Sequence, residues 1–201
     1  PGYIPTGSAM TRILTGFLAG TIWFLIVIYG SFYIFWLTIL VLAFLALKEY
    51  SNIALQGCTR KLRLVSILLG LMPLLTAATR QPDTISAGLF IATFALASFI
   101  IANNQSIENG FRELTRCGFG IFYIGFCSSH LLLLKDLSDG VFWLCLLSVI
   151  TIASDTGAYY VGKNWGKTKL CPLISPGKTV EGFFGGLLSA ATCATIFAYF
   201  F

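Results

Sequence analysis

Between Ser154 and Gly186 the chain reads SDTGAYYVGKNWGKTKLCPLISPGKTVEGFFGG, which gathers Asp155, Lys163, Lys167, Lys169, Lys178 and Glu181 in a sequence only 10% charged. One carboxylate followed by amines, hydroxyls and glycines suits a phosphate substrate carried with a divalent cation. Asp155 closes an apolar segment, so it is expected at a helix C-terminus, where the helix dipole opposes a negative charge. A compensating cation is therefore required. Magnesium fits, because it takes one or two carboxylates and completes its shell with water and substrate phosphates. Taken alone, Asp155 could equally be a helix-flanking carboxylate among lipid headgroups.

Lys178 lies in Ser175-Pro176-Gly177-Lys178-Thr179. Pro and Gly there predict a tight turn that presents backbone N–H groups, two hydroxyls and an amine just ahead of a helix, a suitable phosphate cradle. Asp155 and Lys178 are the candidate catalytic residues, with Asp155 also the metal ligand. Lys167, Lys169, Ser175, Thr179 and Glu181 form the candidate substrate-binding set. The ordinary alternative for Lys163 and Lys167 is a pair of lysines facing headgroups, and for Glu181 a helix cap or a group that positions a lysine. Tyr159 and Tyr160 read most simply as interfacial anchors. Two P-loop lookalikes fail: Gly162–Thr168 is one residue short, and Gly177-Lys178-Thr179 has Pro172 where the first glycine belongs. Neither is expected to follow a strand, so the P-loop context is missing.

The elements that hold these residues are membrane spans. The 201 residues are 57% hydrophobic, with a mean hydropathy of +0.85. A spanning helix needs roughly 20 apolar residues. That ruler predicts seven: Ile13–Tyr29, Phe32–Leu47, Leu64–Ala78, Thr84–Ala102, Gly118–Leu134, Gly140–Ala153 and Phe183–Phe201. The fold class is an all-α polytopic integral membrane protein. It is read as a single membrane-embedded domain over residues 1–201, with an N-terminal tail at 1–12 and a cytoplasmic active-site loop at 154–182. Lys48–Arg63 and Asn103–Arg116 are taken as polar connections. Gly16/Gly20 and Gly182/Gly186 both have the spacing that lets helices approach closely in a bilayer; packing within one subunit is the preferred reading for each, and a homodimer seam the alternative.

A net charge of +5 would point to nucleic acid in a soluble chain. Here topology accounts for it, since Lys and Arg accumulate on the cytoplasmic side. With the N-terminus inside, eleven of the thirteen fall there, and only Arg80 and Lys135 fall outside. No nucleic-acid partner is inferred, and the charged loop faces the compartment that holds nucleotides. The six cysteines lack paired short spacings, which argues against a zinc site or a disulfide framework. His130, the sole histidine, is read as a packed helix residue.

With these residues in view, the chain resembles the phosphatidate cytidylyltransferase (CDP-diacylglycerol synthase) family. The similarity runs through Arg12-Ile13-Leu14-Thr15-Gly16, Lys48-Glu49-Tyr50 and Gly120 to Lys135. It is most specific over Asp155-Thr156-Gly157-Ala158-Tyr159, Gly166-Lys167, Lys169-Leu170 and Ile174 to Thr179, then Glu181-Gly182-Phe183. The resemblance implies a multi-span enzyme of the bacterial inner membrane that joins CTP to phosphatidate with magnesium and releases pyrophosphate. It also implies that Asp155 is a metal ligand and that Ser175–Thr179 handles substrate phosphates. The family's C-terminal signature, with a Ser, a Lys-Arg pair and a Lys-Asp pair, has no counterpart before Phe201. The chain is therefore expected to be an N-terminal portion, inactive by itself, with further spans beyond it, and Pro1–Ala9 are expected to be either upstream sequence or a remnant foreign to the protein. The alternatives are a CTP-dependent polyprenol or phytol kinase, a cytidylyltransferase for another lipid phosphate, or a transporter. A transporter should carry broken, polar helices at the midplane, and these spans do not.

Overall fold

The computed structural model describes residues 7–103 and 106–200. Residues 1–6 of the expected tail and the final Phe201 lie outside the described residues, and helix begins at Gly7. The chain divides into two compact units, one ending at Ser138 and the other starting at Asp139.

The described residues of the first unit form helices joined by short turns. Its elements are α1 (Gly7–Tyr29), α2 (Phe32–Ala54), α3 (Arg60–Gly70), α4 (Met72–Thr76), a 3-10 turn (Ala77–Thr79), α5 (Pro82–Asn103), α6 (Ile107–Gly120), a π-helical stretch (Ile121–Phe126) and α7 (Cys127–Asp136). Hydroxyl caps mark two starts: Ser31 Oγ accepts from Ile34 N–H at 3.4 Å and Thr59 Oγ1 from Leu62 N–H at 3.3 Å. Each satisfies one of the backbone donors that a helix start leaves free. Core contacts repeat at one-turn spacing, as Phe35, Ile39, Ala43, Leu47 and Ser51 on α2 and Ile85, Gly88, Ala92, Leu96 and Ile100 on α5. Leu55, Leu62, Ala92, Leu96, Ile100, Cys117 and Ile121 form one buried cluster. The π stretch sits where backbones nearly touch, since a Cβ on Gly125 would stand 2.0 Å from the Gly70 carbonyl oxygen. Arg80 and Lys135, the two cations assigned outside, are both engaged. The Arg80 guanidinium stacks 4.2 Å from the Phe32 ring centre and pairs with Asp136 at 3.2 Å, and Lys135 Nζ donates to the Val27 carbonyl. His130 Nδ1 lies 2.8 Å from the Phe126 carbonyl oxygen, one turn back in the same helix.

The second unit is a helical pair joined by a hairpin: α8 (Gly140–Trp165), β1 (Lys169–Cys171), β2 (Ser175–Thr179) and α9 (Val180–Phe200). Glycines make the helix contact. A Cβ on Gly157 would stand 2.2 Å from Ser189 Oγ, one on Gly182 2.8 Å from the Ala158 carbonyl, and one on Gly186 2.8 Å from the Ser154 carbonyl. The Gly182/Gly186 spacing thus serves packing within the chain. Among the described residues, a Cβ on Gly16 or Gly20 would meet nothing within 4 Å.

Among the described residues, six helical stretches are long and apolar enough to cross a membrane: Phe32–Ala54, Arg60–Thr79, Pro82–Asn103, Ile107–Asp136, Gly140–Trp165 and Val180–Phe200. The apolar part described in α1, Leu14–Tyr29, is shorter. The protein is an all-α polytopic membrane protein, and the helix count agrees with the sequence to within that first helix. The connections differ more. The polar segments at 48–63 and 103–116 are largely helical, because amphipathic sequences such as Ile107–Gly120 extend the spans beyond their apolar portions.

Candidate active site

α8 does not stop at Asp155. It runs on to Trp165, so Asp155 lies ten residues inside the helix, about 15 Å from its end at 1.5 Å per residue. Its charge therefore faces no terminal dipole, which corrects the sequence expectation. The helix persists because the glycine contacts with α9 extend past this point, at Gly162 and Gly182. Continued helix places Asp155, Tyr159 and Lys163 at one-turn intervals on a single face.

The segment 166–179 is a hairpin rather than an open loop. The turn occupies Pro172–Ile174, and Ser175–Thr179 is the second strand, not the turn expected from Pro176 and Gly177. Lys169 pairs with Thr179 and Cys171 with Ser175. One residue thus separates the pairs on β1 while three, Pro176, Gly177 and Lys178, separate them on β2. The extra residues form a bulge, a place that tolerates a proline without an N–H. Lys169 Nζ donates to the Pro176 carbonyl at 2.7 Å, holding the bulge. Gly177-Lys178-Thr179 therefore lies in a strand leading into a helix, the context the sequence reading denied it. Pro172 still stands where the first P-loop glycine belongs.

Two side chains lock the hairpin to α9. Thr179 Oγ1, 6% exposed, accepts from Gly182 N–H at 3.1 Å and caps the helix. Both Glu181 carboxylate oxygens accept backbone N–H groups, from Lys167 and Thr168, at 3.1 Å. Val180 N–H donates to the Thr168 carbonyl at 2.9 Å.

Together these elements enclose a cavity of about 620 Å³, lined by Asp155, Ala158, Tyr159, Gly162 and Lys163 of α8, Leu170 of β1, Gly177, Lys178 and Thr179 of β2, and Gly182 and Phe183 of α9. Asp155, Lys178 and Thr179 share its wall. Lys167, Lys169, Ser175 and Glu181 do not line it; Glu181 and Lys169 shape it instead through the bonds above. Two residues read from sequence as interfacial, Lys163 and Tyr159, do line it, with Lys163 Nζ 5.7 Å from the Tyr159 ring centre. Their signal was the four- and eight-residue offset from Asp155, visible only once the helix is carried past the apolar segment. Among the described residues, no ion pair or side-chain hydrogen bond engages Asp155, Lys163 or Lys178. Nor do they include a cluster of three metal-ligating side chains, and Asp155 is the one carboxylate in the wall.

The sequence profile of the cytidylyltransferase family matches residues 10–201. This chain belongs to the cytidylyltransferase family. It is 36% identical over 199 residues to the phosphatidate cytidylyltransferase of Bacillus subtilis (strain 168), covering 92% of this chain and 70% of that protein. It is 31% identical over 180 residues to the phosphatidate cytidylyltransferase of Staphylococcus saprophyticus, covering 88% and 67%. For the Staphylococcus haemolyticus protein of the same description the identity is 29% over 195 residues, covering 94% and 72%. In a cytidylyltransferase the wall described here has a ready chemical sense. Amines of this kind are able to hold phosphate oxygens, and a carboxylate is able to share a divalent cation with phosphates. The wall holds no Ser–His or Cys–His couple, and transfer between phosphates requires none.

Proposed function

We propose that this chain transfers the cytidylyl group of CTP to phosphatidate, giving CDP-diacylglycerol and pyrophosphate. A phosphatidate phosphate oxygen attacks the α-phosphorus of CTP and a new P–O–P linkage forms. The bond from that phosphorus to the β-phosphate oxygen breaks, and its electron pair leaves with pyrophosphate. The observation that carries the proposal is the cavity, which sets Asp155 against the unpaired Lys163 and Lys178. The Bacillus and Staphylococcus relatives are phosphatidate cytidylyltransferases, which favours this reaction over lipid phosphorylation or transport.

Within the cavity the residues have separate tasks. Lys178, raised on the bulge, and Lys163, steadied over the Tyr159 ring, hold phosphate oxygens as charge builds on them. Thr179 and Glu181 keep the bulge in place, and Ser175, Lys167 and Lys169 set the hairpin frame. Asp155 fits a magnesium ion of the kind that takes few protein ligands and several phosphate and water oxygens. Bound there, the ion would neutralise phosphate charge and polarise the reacting phosphoryl group. Membranes bearing the full-length protein, given labelled CTP and phosphatidate, should form labelled CDP-lipid. Formation of phosphorylated lipid, or of neither, would exclude cytidylyl transfer.

We also place the cavity on the cytoplasmic side of a bacterial inner membrane, on the strength of the cation distribution and the bacterial relatives. Cys58 and Cys171, both partly exposed, are then cytoplasmic. An impermeant thiol reagent should spare them in intact cells and label them in inverted membranes. Labelling of Cys171 from outside intact cells would reverse the orientation.

A further inference from the structure

The tip of the β1–β2 hairpin carries two large apolar side chains that the cavity does not use. Leu173 is 100% exposed and Ile174 84% exposed. Turns ordinarily take Gly, Asn, Asp or Ser, whose polar or small side chains suit water, so apolar side chains here call for a covering. Their chemical surroundings say which. From Gly166 to Val180 the chain contains Lys167, Lys169 and Lys178 and no carboxylate. The hairpin springs from two helices that are both long and apolar enough to span. α8 ends on the exposed Trp165, with the exposed Tyr160 five residues earlier, and such rings sit at headgroup level. The base of the hairpin therefore lies at a membrane face. An apolar tip above a cationic stem is complementary to a bilayer with anionic headgroups, acyl chains taking the apolar groups and phosphates the amines.

We propose that Leu173 and Ile174 dip into the anionic lipid surface while Lys167 and Lys169 lie among its headgroup phosphates. The same strands carry Leu170 and Lys178 in the cavity wall, so a seated tip holds that wall at the depth of lipid phosphates. A lipid substrate then reaches the cavity sideways from the bilayer. This second consequence rests on the cytidylyl-transfer reading, whereas the seating of the tip does not.

Fluorescence decides the seating. Leu173→Trp adds an emitter at a site with no packing to disturb. The protein goes into nanodiscs of phosphatidylcholine with about a third phosphatidylglycerol, the anionic component that draws in basic segments. With bromine on the acyl chains, the emission that the variant adds over the parent protein should fall by more than about half, as for a ring at the acyl boundary. A smaller fall, whether the tip is in water or packed on protein, overturns the proposal. Kinetics decide the consequence. Leu173→Asp with Ile174→Asp should raise KM for bilayer phosphatidate about tenfold by removing apolar burial, while kcat and KM for CTP hold. Short-chain phosphatidate in detergent should show little change, and Leu173→Met with Ile174→Val should restore the bilayer KM. Equal losses in bilayer and detergent would place the tip in the reaction itself and remove the access role. A full-length parent protein that makes no CDP-lipid would sink the reaction and leave the quenching result standing.

Discussion

Asp155→Asn should lower turnover at least about a hundredfold, the scale of losing a group that acts on transition-state charge. Asn keeps nearly the same shape and removes only the charge. The wall of the cavity contains no second carboxylate to replace it, so added magnesium should restore the rate only in part. Because Asp155 has no side-chain partner among the described residues, its loss should leave thermal stability in detergent unchanged. Initial rates and melting temperatures at matched membrane abundance test both halves. A variant within about tenfold of the parent rate, roughly 1.4 kcal/mol, would show that the carboxylate neither holds the cation nor faces the phosphates.

Lys178→Ala should likewise cost about 10²–10³ in rate, since a charge-assisted contact that tightens in the transition state is lost. The bulge of Pro176, Gly177 and Lys178 is set by the strand register on either side and by the Lys169–Pro176 bond. The amine is therefore presented by a fixed backbone rather than by a loose side chain alone. Arg60, exposed at the start of α3, supplies the comparison: a surface charge contributes about 0–1 kcal/mol, so Arg60→Ala should lose less than about tenfold. Lys163 was read from sequence as a headgroup lysine, and its position in the cavity wall now sets its expected loss above that of Arg60. Equal, mild losses for Lys178→Ala and Arg60→Ala would mean that the hairpin cations only satisfy topology.

Much of this protein was legible without coordinates because a bilayer imposes simple rules. Backbone groups in hydrocarbon must bond within their own segment, so apolar length alone reports spans such as Phe32–Leu47 and Thr84–Ala102, which the structure contains within α2 and α5. Composition likewise identified Ser154–Gly186 as the place where charge, hydroxyl and glycine meet. Hydropathy stops where polarity starts, however, and a helix need not. Whether α8 ends at Asp155 or continues to Trp165 depends on Gly157, Gly162, Gly182 and Gly186 letting two helices touch, a contact between residues far apart in the chain. That continuation puts Lys163 and Tyr159 beside Asp155. The hairpin register, equally non-local, turns Ser175–Thr179 from a turn into a bulged strand, lifts Lys178 into the cavity and leaves Lys167 and Lys169 outside it. Residue chemistry is a local property that sequence states outright; which of those residues share a cavity is set by long-range packing, and only the tertiary structure decides it.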